Sequence, residues 1–288
     1  MPQINATSPL QRVQLPGIAD AVYLKREDLL PHGGGNKVRR FDRFFAERGR
    51  IPVGITLSDA GAHTFIVLAS YLSTSQHAGA QKLIFLELNN PLSPYARRLR
   101  QTYSATDGIV TIRGPLLRQL LRLKWYELTG KAISLGLGGD VTLHENPFGK
   151  ALVECVAQLR DHSERRPVLH LFPYSSGVMA RGFIEAIESS GMVGQNLQAV
   201  VTSTSRIARF VKPLAQRSGR IHFAFARQIS WTTYCVRARS FFEHSGVWLD
   251  PVHTIHLAEI LERRHFVRHS ALVVWITCPF IDFDPTLL

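Results

Sequence analysis

The sequence predicts an α/β fold built on mostly parallel sheets, and three observations carry that prediction. Short β-branched or aromatic runs alternate with longer stretches of helical periodicity, the runs are apolar on both faces, and no repeat or low-complexity linker breaks the rhythm. Apolar strands separated by helices belong in sheets covered on both sides. In chain order the expected elements are strand Val22–Lys25, helix Arg39–Glu47, strand Val53–Leu57, helix His63–Leu72, strands Leu83–Leu88 and Ile109–Arg113, helix Leu116–Leu128, strand Val168–Phe172, helix Gly177–Ser189, and strands Ala199–Thr202, Ile221–Ala226 and Ala271–Thr277. Two turn-rich stretches, PHGGGNK around Gly33–Lys37 and SLGLGGD at Ser134–Asp140, are the expected crossing points, with the segment between them a small insert.

With 288 residues, 45% of them hydrophobic and 19% charged, the chain has material for a sizeable core in one or two domains, which excludes a disordered tail. Runs such as LIFLEL and ALVVWIT fall far short of the roughly 20 residues that cross a hydrocarbon layer. The N-terminal MPQINATSPLQRVQLPG lacks the basic start, apolar centre and small-residue cleavage site of a secretory signal. Lys and Arg number 34 against 22 Asp and Glu, a formal charge of +12. That balance asks for an anionic partner (nucleic acid, anionic lipid, or a phosphate- or carboxylate-bearing ligand), or it is a basic soluble surface, since the charges are spread along the chain. Cys155, Cys235 and Cys278 are odd in number and widely spaced, so neither a disulfide framework nor a C-x-x-C metal site follows, and a reducing cytoplasm is the expected compartment.

The most informative stretch is VYLKREDLLPHGGGNKVRRFDRFF, Val22–Phe44. It reads as a strand, a charged turn, three glycines, and then Asn36 and Lys37 at the head of a helical pattern. Glycines permit unusual torsions and close backbone approach, and a helix N-terminus favours anions. Lys37 in that setting is a candidate nucleophile; spacing alone favours the plainer reading, a loop turn followed by a solvated lysine.

The stretch resembles the active-site lysine motif of pyridoxal-phosphate enzymes of the tryptophan-synthase β fold (fold type II), specifically the 1-aminocyclopropane-1-carboxylate deaminase and D-cysteine desulfhydrase family. The matching residues are Lys25–Leu29 (K-R-[ED]-D-L) and Gly34–Arg40 (G-G-N-K-x-R-K). A second match, GVWLDPVHTIHLAEIL at Gly246–Leu261, is similar to the family's G-[IV]-x-L-D-P-V-Y-[TE]-G-K-A segment. Weaker echoes lie in TSPLQRV, LHLFPYSSGVMARGFIEAIES and LVVWITCPF, so the resemblance runs through nearly the whole chain in order. It implies two α/β domains with mostly parallel sheets and the cofactor, pyridoxal 5'-phosphate, in the interdomain cleft. Residues 1–40 and 151–288 would form the large domain and 41–150 the small one. It assigns to Lys37 both the Schiff base and the shuttling of the substrate α-proton, with Asn36 beside it.

Departures from the family pattern fall at the cofactor's edges. The Ser-Asn pair under the ring aligns with Ala62-His63 in TLSDAGAHTFIVLAS, and a competing register puts it at Ser58-Asp59; Ser58, Gly61, Ala62 and His63 are the expected substrate-carboxylate segment. The Gly-rich phosphate loop becomes VVTSTSRIARFVKPLA, where Ser203, Thr204 and Ser205 offer hydroxyls and Arg206 or Arg209 offers charge. In the D-P-V-Y segment the tyrosine is His253, an expected acid/base, and Thr254 is expected near the pyridine nitrogen, leaving that nitrogen neutral. The family's H-T-G-G becomes Ile276-Thr277-Cys278-Pro279, with Thr277 expected to reach the ring.

These residues predict an enzyme acting on a small amino acid or amino-acid-derived metabolite by α,β-elimination, in the manner of a deaminase or desulfhydrase lyase, or by β-replacement. The alternative is a non-catalytic descendant of the fold that binds a partner protein or an anionic ligand through its basic surface. No metal is expected, because His244, His253 and His256 form no H-x-x-x-H pair with a carboxylate partner. The basic run Arg97, Arg98, Arg100, Arg113, Arg118, Arg122 and Lys124, interleaved with Trp125 and Tyr126, carries no nucleic-acid motif and reads as a solvated face or a partner surface. The expected partners are a small amino-acid-like substrate and a second copy of the chain, with neither membrane nor nucleic acid among them.

Overall fold

A computed structural model describes residues 7–18, 21–58, 63–74, 80–88, 97, 101, 106–137, 139, 141, 143–174, 177–202, 221–227, 229–263 and 271–278. In chain order its elements are β1 (Leu10–Val13), β2 (Val22–Lys25), a short 3-10 turn (Glu27–Leu29), α1 (Asn36–Arg48), β3 (Ile51–Leu57), α2 (His63–Thr74), β4 (Ala80–Leu88), β5 (Ile109–Gly114), α3 (Leu116–Leu128) and β6 (Ile133–Leu137). There follow α4 (Pro147–Asp161), β7 (Val168–Tyr174), α5 (Val178–Ser190), β8 (Gln195–Thr202), β9 (Ile221–Ala226), α6 (Trp231–Ser245), α7 (Ile255–Glu262) and β10 (Ala271–Trp275). The chain divides into two compact units: a smaller one that includes Leu30–Glu145, and a larger one made of Thr7–Leu29 and Asn146–Leu288.

The larger unit holds a six-stranded sheet in the order β1-β2-β10-β7-β8-β9, in which only β1 runs antiparallel. Its central strand, ALVVW, is buried at every position, as a strand covered on both faces requires. The period-two alternation sorts its side chains. Ala271, Val273 and Trp275 join Phe148, Phe172 and Phe183 beneath α4 and α5, while Leu272, Val274 and Ile276 join Tyr234, Phe241 and Leu257 beneath α6 and α7. Where β2 ends, Lys25 is fully buried and donates to Ser8 O, to Glu154 Oε1 and to Gln158 Oε1 (2.7 Å). Ser8 Oγ in turn donates to Glu27 (2.5 Å), and Arg26 grips Asp28 with two nitrogens (2.9 and 2.7 Å). The Lys-Arg-Glu-Asp-Leu turn thus anchors Ser8, just ahead of β1, to α4.

The smaller unit holds a four-stranded parallel sheet in the order β5-β4-β3-β6. Helices α1 and α2 cover one face with Phe41, Phe45, Val67 and Leu68 against Leu83 and Phe85; α3 covers the other with Leu123 against Ile55, Ile84 and Leu86.

Two sequence expectations need correction. The stretch Ser134–Asp140 is not simply a turn, because Ser134–Leu137 belongs to β6, pairing with β3 while Leu135 is fully buried. Gly136, with φ +73°, is a local irregularity within that strand, and its carbonyl accepts Thr56 Oγ1 at 2.8 Å. The last strand stops at Trp275 rather than Thr277, since the ladder with β2 ends at the pair Trp275–Lys25. Three helices (α4, α6, α7) and strands β1 and β6 add to the expected set.

Candidate active site

In the smaller unit the glycine run does what its sequence suggests. Gly33, Gly34 and Gly35 have φ of +80°, +73° and +86°, and His32 before them has +54°, so four successive residues occupy a region that side chains disfavour. At Gly33 a Cβ would lie 2.8 Å from Ile66 Cγ2, so the loop rests directly on the first turns of α2. Helix α1 then opens at Asn36 and Lys37, with Gly35 as its N-cap and no side-chain cap; the opening amides and the helix dipole make this end receptive to an anion.

The same edge of the smaller sheet carries two further expected residues, Ser58 and His63. Strand β3 delivers Ser58, buried, its amide donating to Leu86 O (3.0 Å), and α2 begins at His63, only 2% exposed. Past the carboxyl end of β6, a Cβ on Gly139 would lie 2.8 Å from Phe41 Cζ and 2.9 Å from Thr64 Cγ2. Gly139, the start of α2 and helix α1 are therefore interlocked at the carboxyl ends of parallel strands, where ligands of open α/β sheets bind. Nearby, His32 stacks on Tyr71 (4.2 Å between centroids), and the Tyr71 hydroxyl donates to Asp42. Burial holds the Asp42 carboxyl above the ordinary range, with the Tyr71 hydrogen bond opposing.

In the larger unit the turn that carries His253 and Thr254 is organised by a residue that sequence reasoning passed over. Asp250 is 1% exposed; its Oδ1 accepts the amides of Val252 (2.9 Å) and His253 (2.8 Å), and its Oδ2 accepts the amide of Thr254 (2.8 Å) and the Thr254 hydroxyl. Its own amide donates to Thr254 Oγ1 (2.8 Å). The proton of Thr254 is thus committed to Asp250, and the hydroxyl has one lone pair left to offer, so it can accept a hydrogen bond but not donate one to the neutral ring nitrogen that the sequence leads us to expect beside it. An Asp-Pro pair with Thr four positions after the Asp, ahead of an apolar helix, is the sequence signal for such a capping turn. Two residues on, His256 lies buried in the first turn of α7, and burial lowers its pKa against the pull of Asp250 and Glu259. Thr277, 1% exposed, lies two residues beyond β10, on the edge where the neighbouring parallel strands β7 and β8 also end.

Gly61, Ala62, Asp59, Ser203, Thr204, Ser205, Arg206, Arg209 and Pro279 lie outside the described residues. Among the described residues no cluster of His, Cys, Asp or Glu is arranged to hold a metal ion, and no helix is long and apolar enough to cross a membrane.

The chain is thus two α/β units with largely parallel sheets, one inserted in the sequence of the other. No protein-family model and no curated protein sequence matches the chain. Among solved structures, a T.th. threonine deaminase is similar over 98% of this chain and 96% of its own at 17% identity, with a TM-score of 0.72. A homologue of ACC deaminase is similar over 96% and 90% at 18% identity, with a TM-score of 0.69. Diaminopropionate ammonia lyase from Escherichia coli, in complex with an aminoacrylate-PLP azomethine intermediate, covers 98% and 85% at 11% identity, with a TM-score of 0.66. Likeness at these identities establishes the shared fold.

Proposed function

We propose that the chain is a pyridoxal 5'-phosphate-dependent enzyme acting on a small amino acid or a metabolite derived from one, by α,β-elimination or β-replacement. The observation that carries this reading is the seating of Asn36 and Lys37 at the uncapped start of α1, by a positive-φ glycine loop that rests on α2 where a Cβ on Gly33 would collide with Ile66. That cradle suits the cofactor: a primary amine at a helix N-terminus is a donor set fitted to an aldehyde and an anionic group. Lys37 would hold the aldehyde carbon with Asn36 beside it, His63 the ring oxygen, Thr254 and Thr277 the ring, and Ser203, Thr204 and Ser205 the phosphate. The cofactor, when bound, supplies an electron sink for the substrate α-carbon.

The chain's own residues would supply the rest. The Lys37 amine takes and returns the α-proton. The segment Ser58–His63, between the end of β3 and the start of α2, receives the substrate carboxylate, with Gly61 and Ala62 contributing amides. The His253 imidazole, its backbone fixed by Asp250, gives a proton to the departing β-group or takes one from an incoming nucleophile. The neighbours named for threonine deamination, ACC deamination and ammonia release support chemistry of this class. We place the enzyme in the cytoplasm as a homodimer. The absence of glycine from Val200–Ala215 favours the second reading, a descendant that keeps the fold and has given up catalysis.

The deciding experiment adds pyridoxal phosphate to the purified full chain, removes the excess, reduces with borohydride and maps the adduct by mass spectrometry. Covalent cofactor on the peptide holding Lys37, absent from Lys37→Ala, is the expected result. A folded protein that carries no adduct at Lys37 would rule out the enzyme reading and leave the non-catalytic one.

A further inference from the structure

Helix α3 presents a second apolar face. On its inner side Leu120, Leu123 and Tyr126 join the cluster beneath the smaller sheet, and Gln119 Nε2 donates to Glu87 O (2.8 Å). On the opposite side Leu117 is 71% exposed, Leu121 63%, Trp125 48% and Leu128 86%. At 3.6 residues per turn these four fall within roughly 80° of arc, a single outward ridge. Arg118 and Arg122 flank it on one side and Lys124 on the other, and Lys131 Nζ stands 4.3 Å over the Trp125 ring. The helix holds one acid, Glu127, already paired with Lys124 (2.6 Å). Single exposed leucines need no explanation, but a continuous ridge of three leucines and a tryptophan does.

We propose that α3 docks the protein onto an anionic membrane surface, with the ridge Leu117–Leu121–Trp125–Leu128 entering the boundary between headgroups and acyl chains and the flanking cations meeting acidic phospholipids. Charge selects this occupant. The ridge is bordered by cations on both sides in a chain of formal charge +12, and a second copy docked about a two-fold axis would set cation against cation, Arg118 and Arg122 meeting their own images in an antiparallel pair and the Lys124 side in a parallel one. Tryptophan beside lysine suits the interface, where the ring stays apolar and the ammonium stays wet. The short apolar runs that exclude a spanning helix do not bear on one that lies in the surface.

The test is sedimentation of the full chain with vesicles of phosphatidylcholine alone or mixed with phosphatidylglycerol at roughly three to one. The protein should partition onto the mixed vesicles only, and Leu117→Ser/Leu121→Ser, which keeps every charge, should weaken partitioning by roughly tenfold or more. Both leucines are exposed, so the variant should melt like the parent. Lipids brominated on the acyl chains should quench the parent's tryptophan fluorescence and lose most of that quenching with Trp125→Phe. Equal partitioning of the serine variant would overturn the proposal as general adsorption of a basic surface. No partitioning by the parent would overturn it in favour of an acidic protein. A solution dimer that the serine variant splits, without vesicle binding, would overturn it in favour of self-association.

Discussion

The glycine loop before α1 and the turn before α7 reach similar rigidity by opposite means. The first is shaped by sterics: four positive-φ residues, three of them glycines, with Gly33 set against Ile66. The second is shaped by hydrogen bonds, one buried carboxylate collecting three amides and a hydroxyl. A steric device fails when atoms are added, and a polar device fails when they are removed. The two segments that carry the expected catalytic groups should therefore answer differently to the same treatments.

The largest effect is expected at the polar turn. Asp250→Ala leaves four donors without their acceptor in a buried turn and should lower unfolding free energy by about 3–4 kcal/mol, read by urea denaturation, with Asp250→Asn recovering part of it. Next comes the steric loop, where Gly33→Ala adds a Cβ at φ +80° and 2.8 Å from Ile66; the cost should be about 2–3 kcal/mol. Trimming the opposing atom with Ile66→Ala should recover the packing part and not the torsional part, so a double-mutant cycle with positive coupling near 1 kcal/mol is expected.

Acid should separate the units. Burial holds His170, whose Nε2 meets Gln195 (2.7 Å) and whose Nδ1 accepts Trp275 Nε1 (3.3 Å), down to about 4 from 6.5. The unfolded chain then takes up the proton first, so the contribution is complete above pH 6.5 and fades as pH falls toward about 4, by up to about 3 kcal/mol. Asp42 in the smaller unit has the opposite sign: its raised pKa stabilises at low pH and is lost as pH rises. Hydrogen exchange at about pH 4.5 should loosen the larger unit before the smaller, and His170→Gln should flatten the difference. The smallest effect belongs to the exposed pair Lys124–Glu127, where Lys124→Ala should shift stability by less than about 0.5 kcal/mol.

Much of this was legible in the sequence where local chemistry and tertiary structure agree. The Gly-Gly-Gly-Asn-Lys stretch puts Asn36 and Lys37 at the head of a helical pattern, although the expected helix, Arg39–Glu47, starts three residues later than α1 does; apolar runs predict most parallel strands, because such strands are buried on both faces and need no alternation. The omissions have physical causes. Strand β6 hides behind Gly136, whose turn-like torsion is tolerated because β3 supplies the pairing. Helix α7, IHLAEILE, is buried at every position from Ile255 to Leu261, so it shows no polar stripe to give a period. Helix α4 was detectable: Asn146 followed by Pro147 is an N-cap and first-turn signal, and Asn146 Oδ1 does accept Phe148 N (3.1 Å). Among the candidate residues, sequence reading singled out Lys37, His253 and Thr254 and passed over Asp250, although the Asp-Pro pair with Thr four positions on was there to be read; the pattern gains its meaning once the four donors are seen to converge on one carboxylate.

Lys25 has a bearing on chemical labelling. All three of its protons are occupied, by Ser8, Glu154 and Gln158, and its side chain has no exposed area. An acylating or reductive reagent applied to the folded protein should pass it by, although it stands only twelve residues before Lys37. The two lysines of one motif would then report different things in a single digest: modification at Lys37 records the accessibility of the candidate site, and modification at Lys25 records the moment the sheet comes apart.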